Sequence, residues 1–183
     1  MGFSKRKAAT AAAPLRTVTV RAAAGCPQRG WLDAGGVVRP VALGRGGIIA
    51  DKREGDGGTP RGAFHPLRVW YRPDRLARPR TMLPVRAIGS HDAWCEDPSD
   101  RRYNQAMRWD GSGDRLRRDD HLYDLIIEID HNTLPRIAGR GSAVFLHLAR
   151  DGMKPTAGCI SMPKGPLLRL IERIGPETRI VIG

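Results

Sequence analysis

Glycine and proline interrupt this chain so often that little of it can form helix. The 183 residues include 22 glycines and 14 prolines, and both residue types favour turns over helix interiors. One segment follows the i, i+3, i+4, i+7 spacing of a helix, at Leu167, Leu170, Ile171 and Ile174. Pro166 lies near its start, and Gly175 and Pro176 end it. The number of turns argues against a helical bundle.

Most other apolar residues fall in short runs between turns, which is typical of β-strands. The strand candidates span residues 15–20, 37–43, 67–71, 82–88, 122–129, 142–148 and 178–182. We expect residues 1–14 to form a flexible leader. Residues 89–120 are polar and lack periodicity, so we expect a long surface excursion there. The sequence therefore predicts one mainly β domain over residues 15–183, with a few short helices.

The chain is strongly basic, with 31 Lys and Arg against 19 Asp and Glu and a formal net charge of +12. Nucleic acid, an anionic surface and an anionic cell-wall peptide would each suit this charge. The aromatic content of 5% argues against a stacking platform for single-stranded nucleic acid. Seven arginines and one acid, Asp74, lie within residues 61–86. This segment is either a patch for an anionic substrate or a solvated face.

The three cysteines are an odd number, so at least one thiol within the chain is unpaired. No stretch is long and apolar enough to cross a membrane. A basic cluster at residues 5–7 precedes an alanine-rich run at residues 8–13, but this run is only weakly apolar and Arg16 follows it. We therefore expect no convincing signal peptide. His121 and His131 lie beside aspartates, but no zinc-ligand spacing is present, so no metal is expected.

The segment from residue 141 to 162 carries the best candidate for chemistry. An apolar strand ends at His147, a polar loop follows, and the chain returns through Gly158 and Cys159. Such a return can bring an imidazole beside a thiol and let it take the thiol proton. Gly158 permits close backbone approach, so nearby amides can point at an oxyanion. From the pattern alone, a buried structural cysteine with a structural histidine remains the alternative.

Two blocks of this sequence resemble the L,D-transpeptidase catalytic domain, also called the YkuD-type domain. The downstream block, residues 145–162, has a histidine, a loop, a threonine, a variable residue, Gly-Cys and an aliphatic residue. The upstream block has Lys52, then glycines at 55, 58 and 62 around Thr59-Pro60, and Phe64. The resemblance covers roughly residues 15–183. It implies a single β-rich sandwich or barrel with a few short helices.

The chain departs from the family pattern near the nucleophile. Many members carry histidine or arginine where this chain has Ala157, and arginine or asparagine where it has Ser161. The loop after His147 is also shorter than in better-known members. The resemblance therefore indicates a divergent branch with an altered substrate pocket. It also implies that the main-chain carbonyl of Leu148 orients His147, with Asp151 as the alternative.

The resemblance implies a cysteine acyltransferase that acts on peptidoglycan stem peptides, without metal or organic cofactor. Cys159 would form a thioester acyl-enzyme, His147 would act as the base, and amides near Gly158 would stabilise the oxyanion. Thr156 and Ser161 are expected to contact the substrate. A second stem peptide would accept the acyl group and complete L,D-transpeptidation.

Two alternatives stay open. One is an L,D-carboxypeptidase or another peptide hydrolase of the same fold. The other is a non-catalytic basic module that binds cell-wall polymer or nucleic acid, although nucleic acid is not expected as a partner of the enzyme. The transpeptidase chemistry would place the protein in the periplasm or cell envelope.

Overall fold

The structure is a computed structural model that describes residues 13–183, so residues 1–12 of the predicted leader lie outside the described residues. Within residues 13–183 there are fifteen strands and one α-helix, α1 Lys164–Ile171. The strands are β1 Thr17–Ala23, β2 Cys26–Asp33, β3 Val38–Ala42, β4 Ile48–Ile49, β5 Thr59–Pro60, β6 Gly62–Phe64, β7 Pro66–Tyr71, β8 Val85–Ala87, β9 Asp92–Trp94, β10 Ala106–Arg108, β11 Asp114–Arg115, β12 Leu125–Ile129, β13 Phe145–Leu148, β14 Ile160–Met162 and β15 Arg179–Ile182. The predicted mainly β class is confirmed.

Ten strands form one sheet, in the order β6-β15-β1-β2-β3-β14-β13-β12-β7-β8. Val18 of β1 and Ile127 of β12 lie in distant parts of this sheet, yet both belong to one apolar core. Leu167 and Leu170 of α1 fill the same core. The sheet therefore curls into a half-barrel around a single core, and the helix packs inside the curl.

Residues 89–120, which we call the excursion, lie mostly at the surface as predicted, but they are not an irregular loop. Strands β9, β10 and β11 of the excursion form a three-stranded sheet. Trp94 and Leu116 are buried and pack with Phe145 of the main sheet in a second apolar cluster. The Trp94 and Phe145 rings meet edge to face, with centroids 5.0 Å apart. A few large side chains hold this segment, and they are too sparse to give a periodic pattern.

Asn104 fastens the excursion to the main sheet. Its side-chain oxygen accepts hydrogen bonds from Trp94 Nε1 (3.0 Å) and the Ala143 amide (3.1 Å). Its side-chain nitrogen donates to the carbonyls of His131 (3.0 Å) and Asn132 (2.9 Å). Asn104 is itself buried, so these four bonds satisfy polar groups that water cannot reach.

Other element boundaries differ modestly from the prediction. Strand β2 was missed, because its exposed face is polar and breaks the apolar run. Cys26 begins this strand. The segment predicted over residues 82–88 shortens to β8, Val85–Ala87. All three cysteines are free. In the part of the chain that is described, the only α-helix is too short to span a membrane.

Candidate active site

A cavity of about 540 Å³ opens at the junction of β13 and β14. Its wall includes Cys159, His147, Thr156, Ala157 and Ser161. The structure therefore brings together four of the five predicted site residues in one concave space. The fifth, Gly158, lies between two of these residues in the loop that leads into β14.

Pairing between β13 and β14 places the thiol and the imidazole on the same side of the sheet. The strands run parallel, with Leu146 opposite Ile160 and His147 opposite Ser161. Residues paired in this way share a face, and neighbours along a strand alternate. Leu146 and Ile160 enter the main core. His147 and Ser161, and Cys159 two residues before Ser161, therefore face the cavity.

His147 is held by the main chain. Its Nδ1 lies 2.8 Å from the carbonyl oxygen of Leu148. A carbonyl can only accept, so Nδ1 carries the hydrogen and Nε2 keeps its lone pair. This is the orienting group that the resemblance implied. The alternative, Asp151, is exposed in a 3₁₀ turn and makes no hydrogen bond to His147 within the described residues.

Burial keeps the imidazole of His147 neutral. Removal from water lowers the pKa of His147 to about 4, and the hydrogen bond to Leu148 opposes this only in part. The Tyr123 ring packs edge to face against the imidazole, with centroids 5.3 Å apart. At neutral pH the unprotonated Nε2 can therefore accept a proton.

The Cys159 thiol is also neutral in this structure. The thiol donates a hydrogen bond to the Ala143 carbonyl (3.1 Å) and accepts one from the Phe145 amide (3.4 Å). Burial raises the pKa of Cys159 to about 12; the Phe145 amide opposes this, and the charges of Asp114 and Glu96 add to it. The resting site thus holds a thiol and a neutral imidazole.

Thr156 holds the loop that carries Cys159 through two hydrogen bonds. Its hydroxyl donates to the Cys159 carbonyl (2.6 Å) and accepts from the Gly158 amide (3.1 Å). The Gly158 amide is therefore engaged in the resting structure and not free for an oxyanion. Gly158 has φ +146°, and a Cβ there would lie 2.9 Å from the Gly58 carbonyl oxygen. Both the backbone angle and this close approach require glycine.

The upstream sequence block packs against the loop that carries Cys159. Lys52 is buried, and its Nζ pairs with Asp56 Oδ1 at 2.6 Å. The same Asp56 oxygen accepts the Gly58 amide at 2.8 Å. Gly58 in turn abuts Gly158. The two blocks that are far apart in sequence are therefore in direct contact next to Cys159.

Charged residues ring the cavity, but they are not the ones that the sequence suggested. The basic lining residues are Arg45, Arg118, Arg150 and Lys154, and the acidic ones are Glu96 and Asp114. None of the arginines within 61–86 lines it. Four of those arginines pair with carboxylates elsewhere: Arg68 with Glu128, Arg72 with Asp74, Arg75 with Asp124 and Arg86 with Asp92.

Tyr123 and Asp114 were missed by sequence reasoning. The Tyr123 hydroxyl donates to Asp114 Oδ2 at 2.7 Å, and Arg118 lies 3.4 Å from the other oxygen of Asp114. Burial is the main cause that raises the pKa of Asp114. Asp114 reaches the cavity through the fold of the excursion and Tyr123 from the segment just before β12, so no local motif could have identified them.

The comparisons with known proteins agree with this geometry. A family model described as the L,D-transpeptidase catalytic domain, YkuD, matches residues 18–182. Searches of curated proteins and of solved structures each gave no significant match. The matched region contains both sequence blocks and nearly the whole chain. The chain therefore belongs to the YkuD family of L,D-transpeptidase catalytic domains.

Proposed function

We propose that this protein is a cysteine acyltransferase that cross-links peptidoglycan stem peptides by L,D-transpeptidation. The observation that carries the proposal is the placement of Cys159 and His147 on one face of the sheet, inside one cavity. His147 has its Nε2 lone pair free, because Nδ1 is committed to the Leu148 carbonyl. A thiol and an available base that line the same cavity are the groups that nucleophilic acyl transfer requires.

The donor would be a stem peptide that ends in diaminopimelate and D-alanine. As its carbonyl approaches, the Cys159 proton passes to His147 Nε2 and sulfur attacks the carbonyl carbon. The C–N bond then breaks, and His147 returns the proton to the departing D-alanine amine. The product is a thioester on Cys159. Since both groups rest in the neutral form, proton transfer accompanies attack and does not precede it.

The second half of the reaction would use the amine of another stem peptide. This amine attacks the thioester, a C–N bond forms, the C–S bond breaks, and the amine proton reaches sulfur through His147. Ser161 supports the idea of a polar substrate in this space. Its hydroxyl is buried in the cavity wall and has no hydrogen-bond partner among the described residues. A substrate polar group would satisfy it.

Peptidoglycan lies outside the cytoplasmic membrane, so the proposed reaction requires a periplasmic or envelope location. Fractionation of cells that carry a tagged full-length chain would test the location. Recovery of all the protein in the cytoplasmic fraction would contradict it.

The function is tested by incubating the purified protein with disaccharide tetrapeptides and analysing products by mass spectrometry. We expect a cross-linked dimer, released D-alanine and an acyl-enzyme on Cys159. Cys159→Ala should yield none of these, whereas Cys95→Ala should yield all three. Products limited to tripeptide and D-alanine would identify a carboxypeptidase. Binding of the tetrapeptide with no product from the parent protein would favour the non-catalytic basic module.

A further inference from the structure

Glu96 is the one cavity carboxylate without a cationic neighbour among the described residues. Asp114, its acidic companion in the cavity, has Arg118 and the Tyr123 hydroxyl as partners. Glu96 has no ion pair and no side-chain hydrogen bond in the part of the chain that is described. The charges that act most strongly on Glu96 belong to two further carboxylates, Asp114 and Glu54. An unpaired carboxylate beside other carboxylates attracts a cation.

The surroundings of Glu96 also raise its affinity for a proton. Glu96 is an exposed residue of the cavity wall, although the surrounding protein displaces part of its hydration. This partial desolvation, followed by repulsion from Asp114 and Glu54, raises the pKa of Glu96 to about 7. A bound ammonium group would offset the repulsion and favour the ionised carboxylate.

Two further features point to a polar ligand in this cavity. The first is the Ser161 hydroxyl, which is 1% exposed, lines the cavity and lacks a partner. The second is the presence of Arg150 and Lys154 in the same cavity wall, neither of which has an ion pair within residues 13–183. The cavity thus combines an unpaired anion with unpaired cations. A ligand that carries both an ammonium and a carboxylate group fits such a space.

We propose that Glu96 binds the ammonium group of the incoming acceptor and thereby selects an amine over water as the group that resolves the acyl-enzyme. This proposal rests on the acyltransferase function proposed above and assigns a specificity residue to its second half-reaction. Arg150 and Lys154 bind the carboxylate that accompanies the ammonium group on the same amino-acid centre. The acceptor is therefore a zwitterionic amino-acid end, such as the free stereocentre of diaminopimelate.

The proton balance gives Glu96 a defined part in this step. The acceptor arrives as an ammonium ion and must lose one proton to become a nucleophile. Glu96 takes that proton and later releases it to water. The neutral amine then attacks the thioester, and its second proton passes through His147 to the departing sulfur. Water needs no such deprotonation at Glu96, so loss of this carboxylate weakens transfer more than hydrolysis.

The first test measures how the acyl-enzyme divides between transfer and hydrolysis. The acyl-enzyme is formed with tetrapeptide donor, then mixed with a diaminopimelate-containing stem tripeptide as acceptor. Glu96→Gln keeps the shape and removes the charge. We expect its ratio of transfer to hydrolysis to fall at least tenfold, with a higher KM for the acceptor. Asp97→Asn, at the neighbouring exposed carboxylate outside the cavity, should match the parent protein.

The second test needs no turnover, so it separates this proposal from the proposed function. In a Cys159→Ala background, calorimetry measures binding of the stem tripeptide and of its N-acetylated form, whose amines are blocked. Glu96→Gln should weaken tripeptide binding about tenfold and leave the N-acetylated form unaffected. Equal weakening of both forms would overturn the ammonium assignment, as would an unchanged transfer ratio. Absence of any acyl-enzyme in the parent protein would instead overturn the proposed function.

Discussion

Two walls of the cavity have different origins. The nucleophile wall consists of His147 and residues 156–161, which lie close together in sequence and meet through one parallel strand pair. The excursion wall consists of Glu96, Asp114 and Arg118, which depend on a small separate sheet. The first wall holds Cys159 and His147, to which the proposed function assigns the chemical steps. The second supplies Glu96, Asp114 and Arg118, half of the charged residues that line the cavity. In the proposed function, chemistry and selectivity therefore depend on different kinds of sequence pattern in the same site.

The largest effect is expected when the Cys159 thiol is removed. Cys159→Ala should abolish covalent acylation by a carbapenem-type agent, because no other thiol faces His147. Cys26→Ala and Cys95→Ala, at the other two free cysteines, serve as matched controls and should acylate like the parent. Intact-mass analysis followed by peptide mapping measures the adduct. An adduct on Cys95 would assign the chemistry to the excursion and reverse the comparison.

Removing the base should have the next largest effect. His147→Gln should slow single-turnover acylation by about 10²–10⁴-fold, the usual contribution of a general base. His121→Gln, at a histidine bonded to the Ala149 carbonyl, is the control. In the parent, the pKa of His147 is lowered to about 4, and only the unprotonated ring accepts a proton. The rate should therefore be lost as the pH falls through about 4; a loss centred near 6.5 would contradict the burial of this histidine.

In the excursion wall, the next largest effect is expected on the stability of the fold. Asn104→Ala removes four hydrogen bonds and leaves buried groups unpaired, so the free energy of unfolding should fall by about 3 kcal/mol. Arg101→Ala, at an exposed neighbour, should change it by less than about 0.5 kcal/mol. Chemical denaturation monitored by tryptophan fluorescence measures both. An unchanged Asn104→Ala midpoint would mean that the excursion is not part of the folded core.

Cavity cations should contribute more to substrate capture than the arginines of residues 61–86. Combined replacement of Arg150 and Lys154 by alanine should weaken capture of the acceptor stem tripeptide several-fold and flatten its dependence on salt. Replacement of Arg78 and Arg80, which lie outside the cavity, should change neither. Values of kcat/KM at several ionic strengths measure this effect. Equal losses in both double variants would show that overall charge, and not position, steers the substrate.

The smallest effect is expected where the family pattern is broken. Ala157→His restores the more usual residue without altering thiol or base, so acylation should stay within roughly tenfold of the parent, about 1.4 kcal/mol or less. Single-turnover mass spectrometry measures the rate. A much larger gain would mean that the nucleophile wall of this chain is impaired.

The two cavity walls also differ in how much of each could be predicted from the sequence. The placement of Cys159 and His147 in one cavity, the need for glycine at residue 158 and the Leu148 carbonyl could be anticipated, because each depends on a short local pattern. Glu96 and Asp114 could not, because three short strands and a buried asparagine carry them to the cavity. Tyr123, which precedes β12, has no sequence motif that marks it as a cavity residue. The neutral resting state was also unpredictable, since it depends on burial and not on residue identity.

The burial and hydrogen bonding of the Cys159 thiol affect how readily oxidants can attack it. Peroxide and disulfide exchange both act on exposed thiolates. Cys159 is 8% exposed, and its hydrogen stays on sulfur while it is donated to the Ala143 carbonyl. Burial and this hydrogen bond therefore make Cys159 a poor target for oxidants. In the acyltransferase proposed above, the same burial would protect the nucleophile until an acyl donor enters the cavity.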